Sequence, residues 1–374
     1  MKRNTICVHA GTRRDLEYLG TSSPIHVSTS YAYLDSEERI YPRYFNTPNQ
    51  EVLVEKLCAL EGAEDGLFLS SGMAAVSTLL LTFLKKGDHA IFQPALYGGT
   101  FHMAGSVLRD LGIDYSFGLS SRAEDLEKEI RPNTKLIYIE TPSNPLLEIT
   151  DIAAVAEMAR KRGVLTAIDN TFASPVNQNP YQLGIDIVLH SATKYLGGHS
   201  DLAAGALVSS AENAQRMRNT ALNLGGSLNA LDCYLMERSM KTLSLRVERQ
   251  NESAMKLAHF LNEHEKITRV FYPGLDSHPG HAVAARQMSG FGGMLSFERR
   301  ETDPTAFQKA LQLIKPSMSL GGVDTIICSP ALTSHRHLTA AERTSSGITE
   351  NVLRLSVGIE EVSDLVDDLA GALG

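Results

Sequence analysis

The sequence predicts an α/β fold, a largely parallel sheet covered by helices on both faces, followed by a smaller α+β unit. Between residues 51 and 209 short apolar runs alternate with segments of helical spacing, joined by short connections. Parallel strands linked by crossover helices produce that rhythm. The runs are continuous rather than alternating (Leu136-Ile-Tyr-Ile139, Ile187-Val-Leu189), which indicates strands buried on both faces. After Gly205 the rhythm gives way to long helical stretches and sparser strands. With 374 residues, 43% of them hydrophobic, the chain has the length for about two domains. The expected organisation is an N-terminal arm over 1–50, a large domain over 51–249 and a small C-terminal domain over 250–374.

Residues 1–50 show no periodicity. They carry Gly11, Gly20, Pro24, Pro42 and Pro48, with Tyr18, Tyr31, Tyr33, Tyr41, Tyr44 and Phe45 between them. These rings must be buried on the chain's own core or on a neighbouring subunit, and an arm lying on a neighbour is the expectation. Regular structure begins with a helix over 51–60, where Val52, Leu53, Leu57 and Leu60 have helical spacing, and a strand over 67–69. A helix over 72–84 follows, with Lys85 and Lys86 in its last turn and Gly87 at the C′ position. Further strands are expected over 90–92, 113–117, 135–139, 164–168, 187–189 and 206–209, with helices over 100–111, 122–130 and 152–162 between them. The second half reads as a long helix over 229–249, continuing past a weak boundary into 253–262. Then come a strand over 268–272, a Pro-Gly loop over 273–280, a strand over 294–298, a helix over 306–314, a strand over 353–357 and a helix over 365–373.

The uncharged stretch 66–84 has the length to cross a bilayer. Ser70-Ser71-Gly72 interrupts it and Ser77, Thr78 and Thr82 dilute it, so a strand followed by a buried helix is the better reading and no membrane contact is expected. A net charge of −8 without a basic run argues against nucleic acid as a partner. Cys7, Cys58, Cys233 and Cys328 are far apart and form no C-x-x-C, so neither a disulfide framework nor a metal site is expected. The first residues, Met-Lys-Arg-Asn-Thr, lack the apolar core of a signal peptide, which points to the cytoplasm.

Chemistry-bearing residues gather at four strand ends expected to be adjacent, where ligands sit in such sheets. After the first strand stands Ser70-Ser71-Gly72-Met73 at a helix start, where free N–H groups suit a phosphate. Taken alone, this is an N-cap serine and a glycine turn. After 135–139 comes Glu140-Thr-Pro-Ser-Asn144-Pro145, a proline-fixed turn presenting an asparagine. After 164–168 comes Asp169-Asn170-Thr171; a carboxylate directly after a buried apolar run needs a cationic partner. After 187–189 comes His190-Ser191-Ala192-Thr193-Lys194, where desolvation would lower the lysine pKa and a neutral amine can form a Schiff base. Ser191 and Thr193 are spaced to hydrogen-bond a phosphate, though S-x-T-K alone also describes a surface loop. A phosphate cup, an amide, a buried anion and an amine are together what pyridoxal 5′-phosphate requires.

Residues 186–200 resemble the pyridoxal-lysine signature of the Cys/Met-metabolism (trans-sulfuration) family, and the likeness spans nearly the whole chain. Its further motifs are Ser-Ser-Gly-Met at 70–73, Tyr-Gly-Gly-Thr at 97–100, Glu-Thr-Pro-Ser-Asn-Pro at 140–145, Asp-Asn-Thr-Phe at 169–172, Ser-Leu-Gly-Gly at 319–322 and Arg-Leu-Ser-Val-Gly at 354–358. The resemblance implies the fold-type I, aspartate-aminotransferase-like architecture of pyridoxal-phosphate-dependent transferases. It implies that Lys194 holds the cofactor and later shuttles protons, that Asp169 pairs with the ring nitrogen, and that Asn144 contacts the ring oxygen. Tyr97 would stack on the ring as a proposed acid/base. Ser71, Gly72, Met73, Thr171, Ser191 and Thr193 fall in the cofactor-binding segments, with the phosphate on Gly72, Met73, Ser191 and Thr193. Tyr41 and Arg43 would reach a neighbouring subunit's phosphate in a homo-oligomer, a dimer of dimers in this family. Arg354 would take the substrate carboxylate as a bidentate fork, with Ser319 nearby.

Two positions depart from the pattern. Asn46-Thr47-Pro48 stands where the family shows Asn-Pro-Thr, and Met318 stands where the members that form cystathionine or cleave it at the γ carbon carry an acid suited to a distal ammonium. A substrate with a small apolar tail, methionine or an acylated homoserine, fits Met318 better than cystathionine does. The implied reaction on such sulfur-containing or O-acyl amino acids is elimination by a carbon–sulfur lyase, with γ-replacement second. A catalytically silent pyridoxal-phosphate protein is the alternative of another class. A nucleotide-dependent dehydrogenase also fits the rhythm, but no G-x-G-x-x-G follows the first strand.

Overall fold

The computed structural model describes residues 1–34, 37–301, 303–334, 343 and 347–374. Ahead of the first long helix lie α1 (Arg3–His9) and a 3-10 turn over Pro42–Tyr44. Helix α2 (Pro48–Glu61) starts on a capping box between Thr47 and Gln50 with Pro48 in its first turn, a favoured place for proline. Then follow β1 (Asp65–Leu69), α3 (Gly72–Phe83), β2 (His89–Phe92), α4 (Gly98–His102) running into a π-helical turn over Met103–Leu108, β3 (Asp114–Phe117), α5 (Ala123–Glu127) and β4 (Thr134–Glu140). The first half closes with α6 (Ile152–Arg162), β5 (Leu165–Asp169), α7 (Ser174–Asn177), a 3-10 turn over Pro180–Leu183, β6 (Ile187–His190) and β7 (Gly205–Ser209).

These strands form a seven-stranded sheet in the order β1-β7-β6-β5-β4-β2-β3. Only β7 runs against its neighbours, so β1, β4, β5 and β6 end on the same edge. Each face carries its own apolar core. Ile137, Ile139, Ile168 and Val188 pack with Leu53, Leu57 and Val155 on one side, and Leu136, Tyr138, Leu189 and Leu207 pack with Leu79, Leu80 and Met217 on the other.

The remainder comprises α8 (Ala211–Leu224), α9 (Ala230–Met240), α10 (Leu243–Glu263), β8 (Ile267–Phe271), α11 (His281–Gln287), β9 (Met294–Arg299), α12 (Pro304–Ala310), β10 (Lys315–Pro316), β11 (Ile326–Cys328), β12 (Val352–Ser356) and α13 (Val362–Leu373). A second sheet, ordered β10-β11-β12-β9-β8, packs on α10 and α13 through Leu257, Leu261, Phe297, Leu353, Leu365 and Leu369. Among the described residues no helix is long and apolar enough to cross a membrane.

Several elements differ from the sequence expectation, each for a local reason. Helix α3 stops at Phe83; the Lys85 N–H donates to Asp88 Oδ2 at 2.8 Å, so Lys85, Lys86 and Gly87 (φ +88°) form a turn beyond the helix rather than its last turn and C′ residue. Helix α12 starts earlier than 306, because Asp303 Oδ1 accepts from the Thr305 and Ala306 amides at 3.0 and 2.9 Å. It ends at Ala310 because Asp368 of α13 takes the amides of Gln312, Leu313 and Ile314. Helix α8, which the sequence does not predict, buries only the narrow stripe Ala214, Met217 and Ala221 in an otherwise polar run.

The weak boundary expected after residue 249 falls inside α10, and the real break lies between Met240 and Leu243. Arg246, 4% exposed, makes that break. Its Nη2 takes the Ser239 carbonyl at 2.9 Å, Nε the Thr242 hydroxyl at 3.2 Å and Nη1 the Tyr195 carbonyl at 2.8 Å. Gly198, at φ +68°, lies directly against the guanidinium, where any side chain would collide. Burial lowers the Arg246 pKa to about 10, yet it stays charged at neutral pH, and charge-assisted bonds to carbonyls are the strong kind. Arg246→Met should therefore destabilise the protein by about 3 kcal/mol through orphaned carbonyls, read as a lower denaturant midpoint at unchanged slope. An unchanged midpoint would show that solvent replaces the guanidinium.

Candidate active site

The expected residues converge at the shared edge of the first sheet, with one correction to their arrangement. The ends of β4, β5 and β6 are adjacent, but the antiparallel β7 stands between β6 and β1, so the four expected strand ends are not consecutive neighbours. Gly205, at the start of β7, leaves room for the Ser71 backbone to turn across it.

Ser71 caps α3, its Oγ accepting from the Ala74 amide at 3.1 Å. The Gly72 and Met73 N–H groups, in the first turn, have no acceptor within the helix. A Cβ at Gly72 would sit 3.0 Å from both Cβ and Oγ of Ser191, so the helix start and the turn after β6 approach as closely as a glycine permits. The Ser191 amide donates to Thr171 Oγ1 at 2.7 Å, tying the β6 turn to the β5 turn. Thr193 is largely committed elsewhere. Its hydroxyl donates to the Ala204 carbonyl at 3.0 Å and accepts from the Ala204 amide at 2.9 Å, which fixes the loop bearing Lys194.

Lys194 Nζ lies 2.9 Å from Ser319 Oγ. Burial, with the Arg354 charge second, lowers its pKa from 10.5 to about 8, so a substantial fraction of the amine is neutral near physiological pH. Asp169, 7% exposed, accepts from the Thr171 amide at 3.0 Å. Its pKa is raised, chiefly by desolvation. Glu140 stands in register beside it on β4 and accepts from the Tyr97 and Asn144 amides at 2.7 and 3.1 Å. Desolvation first, then the Asp169 charge, raises its pKa well above the carboxylate range. Tyr97, 48% exposed, opens α4; a Cβ at Gly99 would lie 2.7 Å from both the Tyr97 ring and the Met73 sulfur, so ring and thioether are neighbours.

The second sheet supplies the other wall. Arg354 of β12, 6% exposed, donates through Nη1 to Asn144 Oδ1 at 2.8 Å and through Nη2 to the Ser319 carbonyl at 3.0 Å. Its Nε is buried without a hydrogen-bond partner among the described residues. Ser319 holds a positive φ of 123°, and Gly321 (φ +71°) lets the same loop lie against the Lys194 and Tyr195 backbone. Met318, next in chain, is 68% exposed. Tyr41 and Arg43 are not brought to this site. The Arg43 guanidinium donates to the Leu222 carbonyl of α8 and lies 5.8 Å and 5.5 Å from the Tyr41 and Tyr44 rings.

Sequence reasoning gave no role to Glu140, Arg246, Glu61 or His190. His190 Nε2 pairs with Glu61 Oε1 at 2.7 Å, and Asn170 Nδ2 donates to the same oxygen at 3.0 Å, beneath the turns carrying Asp169 and Ser191. Glu140 carried the signal used for Asp169, a carboxylate directly after a buried run. The other three sit far apart in sequence and carried none.

A neutral amine, a buried carboxylate without a cation among its described partners and free first-turn amides together fit a group that brings an aldehyde, a basic ring nitrogen and a phosphate. Reductive labelling of Lys194 by a small aldehyde in the cofactor-free protein should titrate with a midpoint near 8, and Arg354→Ala should move that midpoint upward. A midpoint near the ordinary 10.5 contradicts the buried setting.

The family described as Cys/Met metabolism PLP-dependent enzyme matches residues 4–374. A cystathionine γ-lyase of Bacillus subtilis is 42% identical over 377 residues, covering 100% of this chain and 99% of the relative. An L-methionine γ-lyase of Fusobacterium nucleatum subsp. polymorphum is 40% identical over 386 residues, covering 99% and 97%. A solved cystathionine γ-synthase of Xanthomonas oryzae pv. oryzae, in complex with aminoacrylate and cysteine, superposes with a TM-score of 0.96 at 38% identity, covering 100% and 98%. With a matching fold, a fitting site and a family match over nearly its whole length, this chain belongs to the Cys/Met-metabolism family of enzymes that depend on pyridoxal 5′-phosphate.

Proposed function

We propose that this protein is a carbon–sulfur lyase that eliminates a thiol from an L-amino acid, releasing an α-keto acid and ammonia. The observation that carries the reading is that Ser319 and Asn144 join Lys194 to Arg354, with Asp169 in register beside Glu140, which holds the Asn144 amide. Bound there, pyridoxal phosphate supplies an electron sink for the carbanion left when an amino acid loses its α-proton. Lys194 holds the cofactor and moves that proton through Nζ. Asp169 keeps the ring nitrogen protonated, and its burial without a cation is relieved when the ring supplies one. Asn144 Oδ1 is engaged by Arg354, which leaves its Nδ2 to donate to the ring oxygen. The α3 amides with Ser191 hold the phosphate, while Thr193, its hydroxyl spent on Ala204, fixes the loop behind it; Tyr97 covers the ring, and Arg354 offers Nε, unpaired among the described residues, with an Nη group to the substrate carboxylate.

Substrate choice follows from Met318. An exposed thioether gives no ion pair to a distal ammonium, so methionine, cysteine or an acylated homoserine is preferred to cystathionine. A second reading, γ-replacement, is favoured by the close match to the γ-synthase structure, because removal of the α-proton is common to both fates.

The protein acts as a homo-oligomer in the cytoplasm. Support for a partner comes from the arm: Leu16, Tyr18, Tyr33 and Leu34 are 82%, 80%, 68% and 81% exposed, a costly display of apolar surface for a free chain. Tyr41 and Arg43 reach the phosphate of the neighbouring subunit from this arm. Arg43→Ala should then weaken cofactor retention, and mixing it with Lys194→Ala subunits should restore activity. Mixed subunits that behave independently refute the shared site.

Product analysis tests the reaction. The purified protein is offered methionine, cysteine, cystathionine and O-acetylhomoserine, each with and without an added thiol. Keto acid formed without thiol, fastest from an uncharged-tail substrate, is expected. Product formed only with thiol makes the enzyme a transferase, and a preference for cystathionine overturns the role given to Met318.

A further inference from the structure

Glu140 is buried at 4% exposure beside a second carboxylate, and none of the roles above employs it. Both its oxygens serve the backbone: Oε2 accepts from the Tyr97 amide at 2.7 Å and Oε1 from the Asn144 amide at 3.1 Å. Its own carbonyl is fixed by Gln93 Nε2 at 2.6 Å, and Gln93 is held in turn by the Ala95 carbonyl and the Thr150 hydroxyl. The Glu140 carboxyl group is therefore a rigid planar bridge that takes the Tyr97 and Asn144 amides themselves, beside the Gln93 side chain, which joins the same two loops through Glu140 and Thr150.

A carboxylate is an expensive acceptor here, since burial and the neighbouring Asp169 both oppose its charge. A single carbonyl oxygen, with two lone pairs on one atom, would have to lie within reach of both amides at once. Only a carboxylate offers two equivalent oxygens, a fixed distance apart, to two converging N–H groups. What each turn carries gives the bridge its meaning. The first presents the Tyr97 ring. The second presents Asn144, whose Oδ1 takes Arg354 Nη1 at 2.8 Å.

We propose that Glu140 is a positioning residue that locks the Tyr97 turn to the Asn144 turn, and so sets the aromatic ring over the cofactor and the Arg354 guanidinium on the substrate carboxylate as one unit. The proposal rests on the roles given to Tyr97 and Arg354 above. Glu140 touches neither substrate nor cofactor; it acts through the two amides.

In Glu140→Gln, one amide of the pair faces a side-chain NH2 instead of an oxygen. In Glu140→Asp the carboxyl group remains, but the shorter side chain cannot span both turns. Both holoenzymes should therefore show KM for the amino acid raised at least tenfold, a larger change than in kcat, and an altered visible circular dichroism of the bound cofactor. A role in folding alone leaves the KM-to-kcat split and the visible signal untouched in whatever protein folds, and a purely electrostatic role leaves Glu140→Asp like the wild type. Either result overturns the bridge. Hydrogen exchange of the wild-type holoenzyme needs no variant: the Tyr97 and Asn144 amides should be protected and open together, and free exchange of either one refutes the proposal. Wild-type protein that fails to take up pyridoxal phosphate sinks the functional reading instead, which keeps the two failures distinct.

Discussion

The site depends on Arg354 joining the two sheets. It rises from β12 in the second sheet, takes Asn144 at the end of β4 in the first, and takes the carbonyl of Ser319, whose hydroxyl meets Lys194. A guanidinium suits this because its donors are planar and fixed, and it stays charged when buried. The same positive charge lowers the Lys194 pKa after burial has done so. One side chain thus sets the geometry between the sheets and contributes to the state of the amine.

Around that contact the protein stations charged groups at one edge of an apolar sheet and satisfies them with backbone. Asp169 and Glu140 rest on amides, and Arg246 rests on carbonyls. Parallel strands make this possible, because their ends deliver several turns to one place with free N–H groups pointing inward. Among the described residues, Arg354 Nε is buried without a hydrogen-bond partner and Asp169 has no cation hydrogen-bonded to it. They are the groups that a carboxylate and a protonated ring nitrogen would satisfy, as expected where function takes precedence over local stability.

Strand positions were legible because the continuous runs 136–139 and 187–189 have no other plausible burial, and Asp169 and Lys194 were legible as charges set against such runs. Helix α8 was hidden by its polar composition, with burial confined to Ala214, Met217 and Ala221. The ends of α9 and α12 were hidden because distant side chains make them. Arg246 breaks the first by taking the Ser239 carbonyl, and Asp368 ends the second by taking three amides.

The sequence by itself determined the α/β rhythm, the family motifs and the identity of the groups that carry chemistry, because each is a local pattern of polarity and residue type. Only the tertiary structure decided that β7 separates β1 from β6, that Thr193 spends its hydroxyl on Ala204, and that Tyr41 and Arg43 turn away toward α8. It also decided that Glu140 bridges two turns. Hydrogen-bond partners far apart in the chain leave no periodic trace, and the geometry that pairs them exists only once both sheets have packed.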